Sequence, residues 1–345
     1  MKTSDFDYDL PEDRIAQTPV EPRDSSRLLV LHREDGALEH VIFRDLPRFL
    51  RPGDLLVANE SRVIPARLQG RRTCTGGALE VLLLRRLDEC RWEALIRGSR
   101  VRAGLSITFA RPDGGALEAV VEEAHPDGLR KLRFREAVEP YLEVLGAVPL
   151  PPYIRAPLTD PERYQTVYAR VAGSVAAPTA GLHFTPSLIE ALQARGVEFA
   201  FVVLHIGLDT FRPVETEEIQ QHRMHAEWCR VPAEVAEAVR ATRARGGRVV
   251  AVGTTVVRAL ETAALAAEAP ERAPAAFEGW SRLFIYPGFR FQVVDALITN
   301  FHLPRSTLLM LVSAFAGRER VLAPYREAIA QGYRFYTFGD AMLIL

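Results

Sequence analysis

A chain of 345 residues with 48% hydrophobic and 25% charged side chains is a globular composition, long enough to divide into two domains. The balance of 43 basic against 44 acidic residues leaves a net charge of −1, and no apolar run approaches the ~18 residues of a membrane-spanning helix. Three cysteines (Cys74, Cys90, Cys229), with no Cys-x-x-Cys, argue against disulfides and a zinc site and for a reducing compartment. The opening Met1-Lys2-Thr3-Ser4-Asp5 lacks a charged-then-apolar leader pattern, so the expected location is cytoplasmic.

In chain order, Leu28 to Leu31 and Leu55 to Val57 read as strands. From Ala66 to Glu143 the pattern becomes short and alternating, with apolar runs at Leu79–Leu84, Trp92–Ile96, Leu105–Phe109, Ala116–Val121 and Leu129–Phe134. Gly76-Gly77, Gly104, Asp113-Gly114-Gly115 and Asp127-Gly128 punctuate these runs as turns, so five or six strands are expected to form a small barrel or sandwich. Beyond it the periods change. Thr185-Pro186 offers an N-cap hydroxyl and a proline at the first helical position, predicting a helix from Ser187 to about Arg195. A strand over Val197–Ile206, a helix over Ala233–Arg245, a strand over Arg248–Val252 and a helix over Val256–Ala267 follow. Ala264–Ala276 reads as a surface connection, Leu283–Tyr286 and Val293–Thr299 as strands, and Thr307–Ala316 as a Leu-rich helix. The predicted fold is an α/β core domain with a layered, mainly parallel sheet (residues 1–65 and 147–345), interrupted by an all-β, barrel-like insertion (66–146).

Chemistry concentrates in the second half. Gly173 to Thr185 carries little side-chain bulk up to Gly181 and then presents His183, as a loop whose backbone approaches a ligand closely would. Five of the eight histidines (His183, His205, His222, His225, His302) fall between 183 and 302, each beside Gly, Thr, Asn, Asp or Glu. Grouped at predicted strand ends, they favour a ligand-binding cleft over five separate structural histidines. Charge is also uneven. Lysine occurs only at Lys2 and Lys131, and residues 66–110 hold nine arginines against four acids. Arg97, Arg100 and Arg102 lie in a segment with no acid between Ala94 and Pro112, a pattern that suits phosphate and equally suits a solvated surface.

The motifs resemble, nearly end to end, the S-adenosylmethionine:tRNA ribosyltransferase-isomerase family of queuosine biosynthesis. The resemblance rests on Phe6-Asp7-Tyr8-Asp9-Leu10-Pro11, Ala16-Gln17-Thr18-Pro19, Ser26-Arg27-Leu28-Leu29, Asp54 to Asn59 and Arg62 to Arg67. It continues through Pro149 to Ile154, Tyr164 to Ala169, the Gly173–Thr185 loop, Leu204 to Phe211, His222 to Glu227, Gly253 to Arg258, Thr299 to Pro304 and Gly339 to Met342. One position departs from it: Asp209 stands where the family usually has glycine.

The resemblance implies that S-adenosylmethionine is consumed as a ribosyl donor, with no resident cofactor and no metal. The acceptor is 7-aminomethyl-7-deazaguanine at the wobble position of a tRNA, and the products are epoxyqueuosine-tRNA, methionine and adenine. The sulfonium acidifies the adjacent ribose carbon, so a modest base removes a proton there, and adenine leaves more readily when protonated or hydrogen-bonded. Histidine, with an ordinary pKa near 6.5, suits both proton roles. His183 and His205 are therefore the first candidates for acid and base, with His225 and Glu227 as a second pair. Ser174, Thr179, Gly181, Thr254, Arg258, Asp295, Asn300 and His302 are candidates for holding substrate; Asp295, Asn300 and His302 suit ribose hydroxyls or the adenine edge, and Arg258 a carboxylate or phosphate. Arg97, Arg100 and Arg102 are candidate RNA contacts, and the expected state is a monomer without membrane partners.

Two other classes share parts of this pattern. An S-adenosylmethionine-dependent RNA methyltransferase would normally carry a Gly-rich turn after its first α/β strand, where this chain has Asn59-Glu60-Ser61-Arg62. A non-catalytic RNA-binding protein would not need the cluster of histidines.

Overall fold

The computed structural model describes residues 1–126, 128–207, 214–267 and 274–345. Asp209 and Phe211 lie outside the described residues. The chain forms two compact units: residues 1–62, 152–171 and 177–345 in the larger, and 63–151 with 172–176 in the smaller.

The larger unit opens with β1 (Arg27–Leu31), β2 (Leu38–Ile42) and β3 (Leu55–Asn59). β4 (Ser61–Val63) leads into the strands of the smaller unit: β5 (Arg67–Arg72), β6 (Ala78–Arg86), β7 (Arg91–Arg97), β8 (Ser106–Ala110), β9 (Ala116–Ala124) and β10 (Leu129–Phe134). A single helical turn α1 (Leu142–Leu145) and the short β11 (Gly146–Ala147) follow, and β12 (Val171–Ser174) pairs with β4 as the chain returns. Then come α2 (Pro186–Ala194), β13 (Glu198–Leu204), β14 (Glu227–Val231), α3 (Ala233–Ala244), β15 (Val249–Val252) and α4 (Thr254–Ala266). The last elements are β16 (Phe277–Ser281), β17 (Ala296–Asn300), α5 (Thr307–Ala316), α6 (Arg318–Ala330) and β18 (Ala341–Ile344).

In the smaller unit β5, β6, β7, β10, β9 and β8 follow one another as antiparallel neighbours, and β8 pairs back onto β5 to close the barrel. Every second residue of β6 (Leu79, Val81, Leu83) and of β9 (Leu117, Ala119, Val121) is buried, the period of a strand with one face inside. Gly70 on β5 leaves room for this filling: a Cβ there would stand 2.7 Å from Ile107 and 2.9 Å from Phe109.

The larger unit is built on a nine-stranded mixed sheet in the order β16-β14-β13-β3-β15-β17-β18-β1-β2. A mainly parallel sheet is found only in its middle. β13, β3, β15 and β17 run parallel, as do β18 and β1, whereas β16–β14, β14–β13, β17–β18 and β1–β2 are antiparallel. The parallel strands are apolar at almost every position, as strands buried on both faces must be. Leu56, Ala58, Val250, Val252, Ala296 and Ile298 form one core with Phe184, Leu188 and Leu192 from the loop and α2. Thr185 caps α2 as predicted, its Oγ1 accepting the Leu188 N–H at 3.2 Å. The predicted strand over Leu283–Tyr286 is not one; the edge strand lies earlier, at Phe277–Ser281, and Phe284 and Tyr286 pack ring against ring instead.

Candidate active site

The C-terminal ends of β13, β3, β15 and β17 meet at one edge of the larger unit, the place where parallel sheets bind ligands. Asn59 ties two of these ends together. Its Nδ2 donates to the Leu204 carbonyl at 2.9 Å, and its Oδ1 accepts the N–H groups of Leu204 and Ser61, each at 3.1 Å. At the end of β15, Gly253 takes φ +96° and turns the chain into α4, whose first N–H groups have no intrahelical acceptor. A cleft opens here, lined by Ala177–Ala180, Ile206, Gly253–Thr255, Thr299, Asn300, His302 and Leu308.

The structure therefore brings together four of the predicted substrate residues, Thr179, Thr254, Asn300 and His302. Others stand elsewhere. Ser174 belongs to the smaller unit, and its Oγ donates to the Ala176 carbonyl at 2.7 Å. Gly181 is glycine for packing, since a Cβ would stand 2.2 Å from Tyr168 Oη and 2.7 Å from Thr166 Cγ2. Asp295 precedes β17 and is roughly 17 Å along the strand from Asn300. Its carboxylate accepts the Val249 N–H at 2.8 Å and so caps the far end of the sheet.

Three of the histidines are neutral by position. His183 is buried, stacked on Phe43, with Nδ1 2.7 Å from Ser26 Oγ. Burial pulls its pKa down to about 4; the Asn300 side chain, acting as a hydrogen-bond partner, opposes the fall, while Arg334 and Arg23 add to it. His183 Nε2 and Asn300 Oδ1 are both buried and neither makes a hydrogen bond of ordinary length; the Asn300 side chain lines the cleft. His302 has Nε2 2.7 Å from Thr299 Oγ1, accepts at its carbonyl from the Tyr8 hydroxyl, and is pulled down to about 3 by burial. His205 stacks on Trp228 with centroids 5.2 Å apart, and burial, then Arg230, lowers it to about 4. Near neutral pH all three rings are uncharged.

His225 sits beside a carboxylate. Its Nε2 lies 3.5 Å from Glu227 Oε1, which also accepts the Gly207 N–H at 3.2 Å, while the other oxygen is held by Arg258. Arg258 stands in the second turn of α4, not at its opening, and its Nε donates to the Leu283 carbonyl at 3.1 Å. The guanidinium predicted to meet a ligand anion thus meets Glu227. Arg97, Arg100 and Arg102 are exposed, at the end of β7 and in the loop that follows it.

A family model described as "Queuosine biosynthesis protein" matches residues 3–344. The chain is 59% identical over its whole length to a Moorella thermoacetica protein, also covered whole, named S-adenosylmethionine:tRNA ribosyltransferase-isomerase. It is 58% identical, again with both chains covered fully, to one of the same name from Symbiobacterium thermophilum. The chain belongs to the queuosine biosynthesis family. A crystal structure of an S-adenosylmethionine tRNA ribosyltransferase from Thermotoga maritima is similar at TM-score 0.57 and 46% identity, with 99% of this chain and 100% of that one covered.

Two residues that support the site, Asn59 and Ser26, were not expected from the sequence, although both stand in the family motifs. A polar side chain closing the apolar run Leu55–Ala58 was the available signal for Asn59. Ser26 had none, since its role depends on a partner 157 residues away. Among the described residues no group of His, Cys, Asp or Glu is arranged to hold a metal.

Proposed function

We propose that this protein transfers and isomerises the ribosyl group of S-adenosylmethionine onto 7-aminomethyl-7-deazaguanine at the tRNA wobble position, releasing methionine and adenine. The observation that carries the reading is the full-length identity to relatives named for this activity, in a chain whose parallel strands end at a cleft of suitable chemistry. The helices over the parallel strands support reading the larger unit as an α/β layer of which the cleft is the functional edge.

The start of α4 at Thr254 and Thr255 suits the methionine carboxylate, because helix N-termini favour anions. Thr179, Asn300 and His302 suit the ribose hydroxyls and the adenine edge. Neutral imidazoles suit removal of the proton next to the sulfonium, with His183 and His205 as the candidates. His225, with Glu227 to orient it, suits the complementary acid role. The exposed Arg97, Arg100 and Arg102 suit RNA phosphates. S-adenosylmethionine is consumed and no cofactor is required; a cytoplasmic monomer completes the reading.

Incubating the protein with S-adenosylmethionine and tRNA bearing the aminomethyl base, while following free adenine, tests it. Adenine released only when that tRNA is present is the expected result. S-adenosylhomocysteine in its place would mean methyl transfer, and binding of both ligands without any product would mean a non-catalytic RNA-binding protein.

A further inference from the structure

The three outermost strands beside the cleft carry an aromatic rung. The β13–β14 register pairs Val203 with Arg230 and Leu204 with Cys229; one step on, the His205 N–H donates to the Trp228 carbonyl at 2.9 Å. Trp228 in turn pairs with Trp280 on β16, the edge strand of the sheet. Paired residues share a face, so His205, Trp228 and Trp280 point to the same side. It is the side away from α4. Glu227 and Ser281, one residue off the rung, contact α4 through Arg258 and Thr262. His205 and Trp228 lie nearly parallel at 18°, and Trp280, on the edge strand, is 48% exposed. Ile206, next to the rung, lines the cleft.

One positive charge shares its face. Arg230 shares the face and lies close enough to His205 to lower its basicity, and its buried Nε has no hydrogen-bond partner. An open hollow lined by Arg223, Met224, His225, Ala226 and Arg282 adjoins the ends of β14 and β16 and has no carboxylate in its lining. Glu278, opposite Arg230, is the one acid on this face among the described residues of the two strands. Flat rings beside arginine are what proteins use to hold unpaired RNA bases, since stacking needs a π-face and the backbone needs cations.

We propose that the His205–Trp228–Trp280 rung is a stacking platform for an unpaired nucleotide of the tRNA anticodon loop, with Arg230 and the neighbouring arginines facing its phosphates. The proposal rests on the tRNA-modifying reading above and adds to it the surface that receives the loop.

The test uses tryptophan fluorescence in the full chain. Of the three tryptophans Trp92 is buried in the barrel, so Trp92→Phe leaves only the rung emitting. Titration with an anticodon stem-loop RNA should quench this emission, and a fully paired hairpin of equal charge should not. Trp280→Ala and Trp280→Leu should weaken stem-loop binding roughly tenfold, Trp280→Phe should restore most of it, and the KM for S-adenosylmethionine should stay put. Trp280→Leu keeps apolar bulk without a π-face, so it tests stacking even where the alanine variant folds poorly. Wild-type stem-loop affinity in Trp280→Leu, equal quenching by the paired hairpin, or a matching loss of S-adenosylmethionine affinity would each overturn the platform. Tests of adenine release by the wild type, run alongside, separate two failures. Release with unchanged RNA binding in the variants removes the platform alone; neither release nor RNA binding by the wild type removes the functional reading as well.

Discussion

Arg258 and Glu227 form an ion pair closed to solvent on both sides, with side chains 5% and 2% exposed. The pair stands one turn into α4, below the cleft, and joins the helix to β14. Its remaining contacts, Gly207 N–H and His225 on the acid and the Leu283 carbonyl on the base, leave each charge partnered from more than one direction.

Removing one charge leaves the other buried without compensation, so Arg258→Ala or Glu227→Gln should destabilise the protein by about 3–5 kcal/mol. Arg258→Lys should fail as well, because one ammonium cannot span both Leu283 and Glu227. Urea unfolding measures this, and a change below about 1 kcal/mol for Glu227→Gln would show that water reaches the pair.

His183→Ala should lower the turnover of adenine release by about 10²- to 10⁴-fold, the range for a lost general base. S-adenosylmethionine binding should persist, since the cleft is lined by other groups. Intact turnover would remove His183 from the chemistry and leave it a buried ring on Phe43.

Acid should destabilise the fold through its neutral histidines. Unfolded, each ring titrates near 6.5; folded, His183 and His205 titrate at about 4 and His302 at about 3. Between those values the unfolded chain binds more protons, so stability is complete above pH 6.5 and falls toward pH 4, by up to roughly 1.4 kcal/mol per pH unit for each ring. Glu261 and Asp340, both raised by burial, act in the opposite sense, so the comparison must be with a single variant. In unfolding titrations His183→Asn should flatten the pH 4–6.5 slope by nearly one proton; identical slopes would show that His183 is protonated in the folded state.

Gly253→Ala should cost about 1–3 kcal/mol, because φ +96° strains any residue with a Cβ. That Cβ would also stand 3.4 Å from Ala180 Cβ, inside the wall of the cleft. The KM for S-adenosylmethionine should rise while affinity for anticodon stem-loop RNA holds. An unchanged KM would place the substrate away from the start of α4.

Much of this architecture was legible. Alternating burial marked the barrel strands, and Thr185-Pro186 marked α2 because a cap and a proline act locally. The mixed character of the sheet was not, since β14, β16 and β18 are short and their direction depends on partners far away in sequence. For the site, Thr179, Thr254, Asn300 and His302 could be found as small or polar residues after apolar strands. Asp295 has the same local look at the opposite end of the same strand, and residue type alone does not say which end opens onto the cleft. Arg258 misled for a related reason: helical spacing turned it toward Glu227, 31 residues earlier, and away from the opening of α4.

The place of β18 sets an order on biosynthesis. The hairpin of β1 and β2 is complete within the first 42 residues, yet it reaches the rest of the sheet only through residues 341–344, wedged between β1 and β17. While the chain is being translated, that hairpin must wait with one edge of β1 open, and the six strands on the far side of β18 cannot be joined to it until that last strand is made. The barrel, whose strands all fall between residues 67 and 147, is under no such delay and can close while the larger sheet is still in two pieces.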